Sequence, residues 1–203
     1  MHSTVTLPTP TAAPARHSVW ATSIRFTLVA TVLLGLAYPL LVTGIAGALL
    51  PRKSAGSLIL KDGQVIGSEL LAQSFTADKY FHPRPSAAGN GYDATASSGS
   101  NLAQSNKTLV DRMQGSIDKL AVENPGKPVP IDLVTTSGSG LDPDITPDSA
   151  AFQAPRIAKA RGLSEDRVRQ LIDANTTSRQ FGLLGEPRVN VLDLNLALDA
   201  VSK

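Results

Sequence analysis

FTLVATVLLGLAYPLLVTGIAGALL, residues 26–50, decides how this chain is built. The run holds no charge and nothing more polar than threonine and tyrosine. At ~1.5 Å per helical residue it reaches across a bilayer core of ~30 Å. In hydrocarbon a lone segment satisfies its backbone only as a helix, so the run predicts one transmembrane anchor helix over residues 19–51. Ala46-Gly47-Ala48 has the small-x-small form of a leader-cleavage site. Secretory apolar regions run only ~7–15 residues, and this site lies inside the run, so a retained anchor is expected. Pro39 removes one helical hydrogen bond and predicts a bend. Thr27, Thr31 and Gly35 recur every fourth residue, and Gly44 and Ala48 repeat the spacing. Such a stripe lets a second helix approach closely, so these residues are the candidate membrane helix-packing set.

Outward from the span, residues 1–18 are rich in Thr, Pro and Ala and predict a disordered tail. Trp20 falls where an interfacial aromatic belt lies. Residues 52–203 are one domain's worth and are expected to fold as a single soluble α+β (mixed α/β) domain. The chain of 203 residues carries a net charge of +2 and no cysteine. That balance gives no case for a polyanion partner, and a disulfide or thiolate metal site is excluded. His2, His17 and His82 are the only histidines, which also excludes a His/Cys zinc site. Arg16 and Arg25 precede the span and Arg52, Lys53 and Lys61 follow it, so flanking charge does not set the orientation.

Within the soluble part, Leu58, Ile59 and Leu60, then Lys61-Asp62-Gly63, then Val65 and Ile66 read as a hairpin, because Asp-Gly between apolar runs marks a tight turn. Residues 70–75 read as a third strand. KYFHPRP, residues 79–85, excludes helix and central strand through its two prolines. His82 within it reads as structural rather than catalytic. Residues 86–106, rich in Gly, Ser, Ala and Asn, read as a long loop packed through Tyr92 and Asn101. Residues 106–123 form the clearest amphipathic helix, with Leu109, Met113, Ile117, Leu120 and Ala121 on one face expected in the core. Thr146-Pro147 opens a helix ending at Gly162, and Ser164 caps another with Val168, Leu171 and Ile172 inward. Residues 188–201 read as a strand passing into a short helix.

Residues 158–172 have the spacing of a helix-turn-helix, with Arg156, Lys159, Arg161, Arg167 and Arg169 placed for phosphates. Glu165 and Asp166 at the start of the second helix oppose that reading, which leaves a membrane-anchored nucleic-acid or ligand binder as the alternative function. Ser137-Gly138-Ser139-Gly140 could offer backbone N–H groups to a phosphate or form a plain turn. Neither a P-loop nor a G-x-S-x-G elbow occurs. Asp142, Asp144 and Asp148 fit a cation site or, more simply, turn and helix-start positions. The residues alone give a membrane-anchored chain without a recognisable catalytic centre, which favours an accessory subunit.

In order, the chain carries YFHPRPSA (80–87), SSGSNLAQSN (97–106), DLVTTSGSGLDPDITPDSA (132–150), QAPRIAKARGL (153–163) and LGEPRVNVLDLNLALD (184–199). This combination behind one N-terminal span resembles the C subunit family of the Kdp high-affinity potassium-transporting P-type ATPase. The resemblance covers residues 26–199. It implies a complex with a channel-like potassium-binding subunit, a P-type ATP-hydrolysing subunit and a small membrane peptide, all in the bacterial inner membrane. A D-K-T-G-T phosphorylation motif is absent here, so catalysis is expected in a partner. The family is described as an assembly factor and a catalytic chaperone that raises ATP affinity; no cofactor is expected to be tightly bound, ATP being the possible shared ligand. Its proposed nucleotide contact falls on Gln153, with Ser137, Gly138, Ser139 and Gly140 as the loop. Asp144 stands where many relatives have histidine. The resemblance places the domain on the outer, periplasmic face, where Gln153 cannot meet cytoplasmic ATP and any effect on ATP passes through conformation.

Overall fold

A computed structural model describes residues 18–201. The predicted tail, with His2, Arg16 and His17, lies outside the described residues apart from Ser18. The chain divides between Ala55 and Gly56 into two compact units.

The first unit is the apolar helix. Val19–Leu49 is the one helix among the described residues long and apolar enough to cross a membrane, and none of its residues is buried. It runs as α1 (Val19–Ala30), a π-helical segment (Thr31–Ala37) and α2 (Tyr38–Leu49), followed by the short α3 (Pro51–Ser54). Pro39 explains the middle piece. Its ring would press on the carbonyl four residues back, that of Gly35. The turns before it widen instead, and the Tyr38 N–H donates to the Leu33 carbonyl five residues earlier. The wider turns keep Thr31 and Gly35 neighbours, since a Cβ on Gly35 would lie 3.8 Å from Thr31 Cγ2.

The second unit opens with the predicted hairpin. β1 (Leu58–Lys61) pairs antiparallel with β2 (Gln64–Ser68), and Lys61 faces Gln64 across a two-residue turn. Asp62 and Gly63 both take positive φ, +52° and +77°, as a primed hairpin turn requires. The expected third strand over residues 70–75 does not form. Ser68 Oγ accepts the Leu70 N–H, the Leu71 N–H turns back to the Ser68 carbonyl, and only the Ala72 N–H reaches across, to the Leu141 carbonyl. The side-chain cap ends the sheet at Ser68.

α4 (Lys107–Glu123) starts at Asn106, whose side chain accepts the Thr108 N–H. Its apolar face departs from expectation: Leu109, Met113, Ile117 and Leu120 are half-buried and Ala121 is exposed. α4 borders irregular chain rather than a sheet, and a groove remains open between them. The core lies elsewhere. A three-stranded antiparallel sheet, β3 (Asp144–Ile145), β5 (Arg188–Asn190) and β4 (Thr176–Thr177) in that order, packs with α5 (Pro147–Arg161), α6 (Glu165–Ala174) and α7 (Val191–Val201). Ile145, Ala150, Ala154, Ile157, Val168, Ile172, Val189, Val191, Leu194 and Leu198 form its centre together with Phe81. Thr146 and Ser164 cap α5 and α6 as their positions predict, and β5 passes directly into α7.

Candidate functional site

The Lys79–Pro85 stretch cannot join a sheet, because Pro83 and Pro85 lack the donors a ladder needs. Its backbone is still buried in part and must be satisfied. Helix side chains do this. Arg161 Nε donates to the Lys79 carbonyl at 2.8 Å, and Arg156 Nη1 donates to the Tyr80 carbonyl at 3.0 Å. Asn195 of α7 holds Phe81 at both ends: its Oδ1 accepts the Phe81 N–H at 2.8 Å and its Nδ2 donates to the Phe81 carbonyl at 3.0 Å. Gln153 of α5 does the same for His82, with 2.8 Å to the N–H and 3.1 Å to the carbonyl. Two amides therefore imitate the two flanking strands of a sheet, one on each of two consecutive residues. Gln153 and Asn195 are both only 1% exposed.

The arginines are fixed in turn. Arg156 also donates to Gln153 Oε1 and pairs with Glu123, tying the end of α4 to α5. Arg161 pairs with Asp199 at 2.7 Å and stacks over the Tyr80 ring, whose hydroxyl donates to the same carboxylate. Arg169 pairs with Glu165. In the helix-turn-helix reading Arg156, Arg161 and Arg169 were to meet phosphates; each already has a carboxylate, and Arg156 and Arg161 also hold backbone carbonyls.

Beyond Pro83, Arg84 carries the network to the SGSG loop. Its Nη1 meets Asp142 at 2.9 Å and its Nη2 donates to the Thr136 carbonyl. Ser86 Oγ donates to the Gly140 carbonyl at 2.6 Å, and the Ser98 N–H donates to the Ser139 carbonyl at 2.9 Å. Gly140 sits at φ +68°, and a Cβ there would come within 2.5 Å of the Ser98 carbonyl oxygen. The close approach of the two loops depends on that glycine. Tyr92 packs this long loop as expected, by donating its hydroxyl to the Arg84 carbonyl, whereas Asn101 is exposed and reaches only Ser98 Oγ of its own loop; Ser97 and Ser98 make the contacts to Ser139 instead. Asp142 and Asp144 each face an arginine, Arg84 and Arg188, and Asp148 lies in the first turn of α5.

The proposed nucleotide residues fall in two places. Gln153 borders a groove of about 360 Å³ together with His82, Tyr92, Lys119 and Glu123. Ser137, Gly138, Ser139 and Gly140 do not line that groove; they form a separate turn held by Ser86 and Ser98. Burial, with the nearby Arg156 charge second, holds the His82 imidazole below its ordinary pKa of 6.5. Its Nε2 lies 3.2 Å from the Ala77 carbonyl, which suits a neutral ring protonated there. Burial raises the Asp144 carboxyl, with Arg188 opposing, and burial alone raises the Tyr92 phenol.

Asn195 and Asp132 are the residues that motif reading passes over. Asn195 is a lone amide on the buried side of a leucine-rich helix, which was its only signal. Asp132 accepts the Thr146 N–H and the Thr146 and Ser149 hydroxyls, fixing the start of α5.

One helix among the described residues long and apolar enough to cross a membrane, followed by a small α+β unit whose motif residues hold one another, is the pattern of a membrane-associated protein. The chain belongs to the KdpC family, described as K+-transporting ATPase, c chain, whose family model matches residues 20–200. Among similar proteins, the potassium-transporting ATPase KdpC subunit of Rhodopseudomonas palustris (strain BisB5) is 58% identical, over 87% of this chain and 94% of the relative. The subunit of the same name from Acidobacterium capsulatum is 58% identical, over 88% and 96%. That of Koribacter versatilis is 54% identical, over 88% and 92%.

Proposed function

We propose that this chain is the non-catalytic C subunit of an ATP-driven potassium uptake pump in the bacterial inner membrane. It is needed for assembly, and it raises the ATP affinity of the hydrolysing subunit through conformation rather than by holding the nucleotide. The observation that carries this reading is the clasp. Both polar atoms of the Gln153 amide are spent on His82, and breaking them to greet a ligand would leave buried backbone groups unpaired. A unit whose buried irregular chain is internally satisfied suits docking to partner subunits, while the Thr27, Thr31, Gly35, Gly44 and Ala48 stripe suits a neighbouring helix in the membrane. The partners are then the channel-like potassium-binding subunit, the P-type subunit and the small membrane peptide, with the soluble unit on the outer face.

The test is co-expression of the full pump with and without this chain, reading assembly and potassium-stimulated ATPase activity. Loss of both without the chain is expected; an intact, active pump lacking it would overturn the proposal. A second reading has one observation in its favour. The groove beside Gln153 carries an aromatic ring and a cation, Tyr92 and Lys119, which could meet a base and a phosphate. Lys119→Ala leaves the clasp intact. An unchanged ATP dependence of the pump supports the conformational route, and a several-fold higher KM for ATP supports direct contact.

A further inference from the structure

The connection between β4 and β5, residues 178–187, carries the two most exposed large apolar side chains of the second unit, Phe181 and Leu183, with Leu184 beside them. Phe181 is 93% exposed, Leu183 80% and Leu184 61%. The loop is nevertheless ordered by its own backbone. Gln180 and Leu184 exchange hydrogen bonds of 2.8 and 2.9 Å, and the Gly182 and Leu183 N–H groups turn back to the Arg179 and Gln180 carbonyls. Phe181 stands at φ +53°, a conformation that a residue with a Cβ avoids. A free loop gains nothing from holding an aromatic ring in water this way, and an observed outlier of this kind points to function.

The surroundings decide what the tip fits. A lipid-binding element pairs apolar residues with free cations that meet headgroup phosphates. Here Arg179 at the stem is neutralised by Glu186, and Arg188 by Asp144. No charge lies between Arg179 and Glu186. A fluid bilayer also makes no use of a fixed backbone shape, whereas a shaped protein pocket does, because a preformed loop loses less entropy on docking. We propose that Phe181, Leu183 and Leu184 form a preformed plug that seats in an uncharged, apolar socket on another subunit of the pump. The inference rests on the subunit reading above and adds the residues and the chemistry of the contact. Phe181 is the anchor, since a buried phenylalanine contributes ~150–250 Å² of apolar contact.

The test uses the assembled complex. Photo-reactive p-benzoylphenylalanine placed at position 181 is expected to yield an adduct with another pump subunit. An adduct with lipid, an adduct with a second copy of this chain, or no adduct while the chain co-purifies would each overturn the plug and leave the subunit reading standing. If the unsubstituted chain fails to co-purify with the pump, the subunit reading falls and the plug with it. Phe181→Gly separates docking from folding, because glycine accepts the positive φ and keeps the turn. The full-length variant is expected to unfold at the same or a higher temperature, yet to associate at least ~10-fold more weakly. Association within twofold of the parent would contradict the plug.

Discussion

Phe81 and Phe181 both lie in irregular chain punctuated by proline or glycine, yet Phe81 is fully buried and Phe181 is 93% exposed. Neither segment belongs to a sheet ladder. Around Phe81 every carbonyl from Lys79 to His82 receives a donor from an α5 or α7 side chain. Around Phe181 the hydrogen bonds are local, between residues of the same turn. The difference teaches that burial of an irregular segment depends on distant side chains able to replace a ladder. Arg156, Arg161, Gln153 and Asn195 supply that replacement in one place, and nothing comparable reaches the other.

The comparison breaks most visibly if one amide is removed. Asn195→Ala leaves the buried N–H and carbonyl of Phe81 without partners and should destabilise the second unit by about 3–5 kcal/mol. Thermal or denaturant unfolding of the full-length chain in detergent measures it, and a loss under about 1 kcal/mol would show that the amide is not what holds Phe81. Gly140→Ala is expected next, at about 2 kcal/mol or more, because alanine meets both a positive φ and the Ser98 carbonyl. The same unfolding experiment applies, and a neutral effect would mean that the two serine-rich loops separate freely.

The smallest expected effect is a pH slope from His82. Its folded pKa lies below 6.5 through burial and the Arg156 charge. Between 6.5 and that lower value the unfolded chain holds a proton that the folded chain does not, so stability is full above the window and falls as the pH drops through it. His82→Gln should flatten the slope in this interval. An equal slope in the variant would assign it to other groups.

Much of this fold was legible because its signals are local. The membrane-length run, Asp62-Gly63, the Thr146 and Ser164 caps and the passage from β5 into α7 each depend on neighbours in sequence. The third strand failed because Ser68 caps its own chain, a competition that apolar composition does not reveal. The face of α4 misled because periodicity reports which side is apolar, not how completely a neighbour covers it. Gln153 was singled out by resemblance, but its contact with His82 joins residues far apart in the chain. Asn195 and the paired arginines show the same limit, since spacing does not say which backbone a buried polar group will reach.

Amide hydrogen exchange in the full-length chain, with and without an ATP analogue, tests the clasp most directly. Pro83 and Pro85 have no amide hydrogen and the first two residues of a fragment lose their label, so a peptide covering residues 79–85 reports on Phe81, His82 and Arg84 alone. Protection of this peptide comparable to that of the buried α5 turn around Ala154 and Ile157, and unchanged by the nucleotide, is the predicted result. Exchange at the rate of an open loop, or deprotection when the nucleotide is added, would contradict the account.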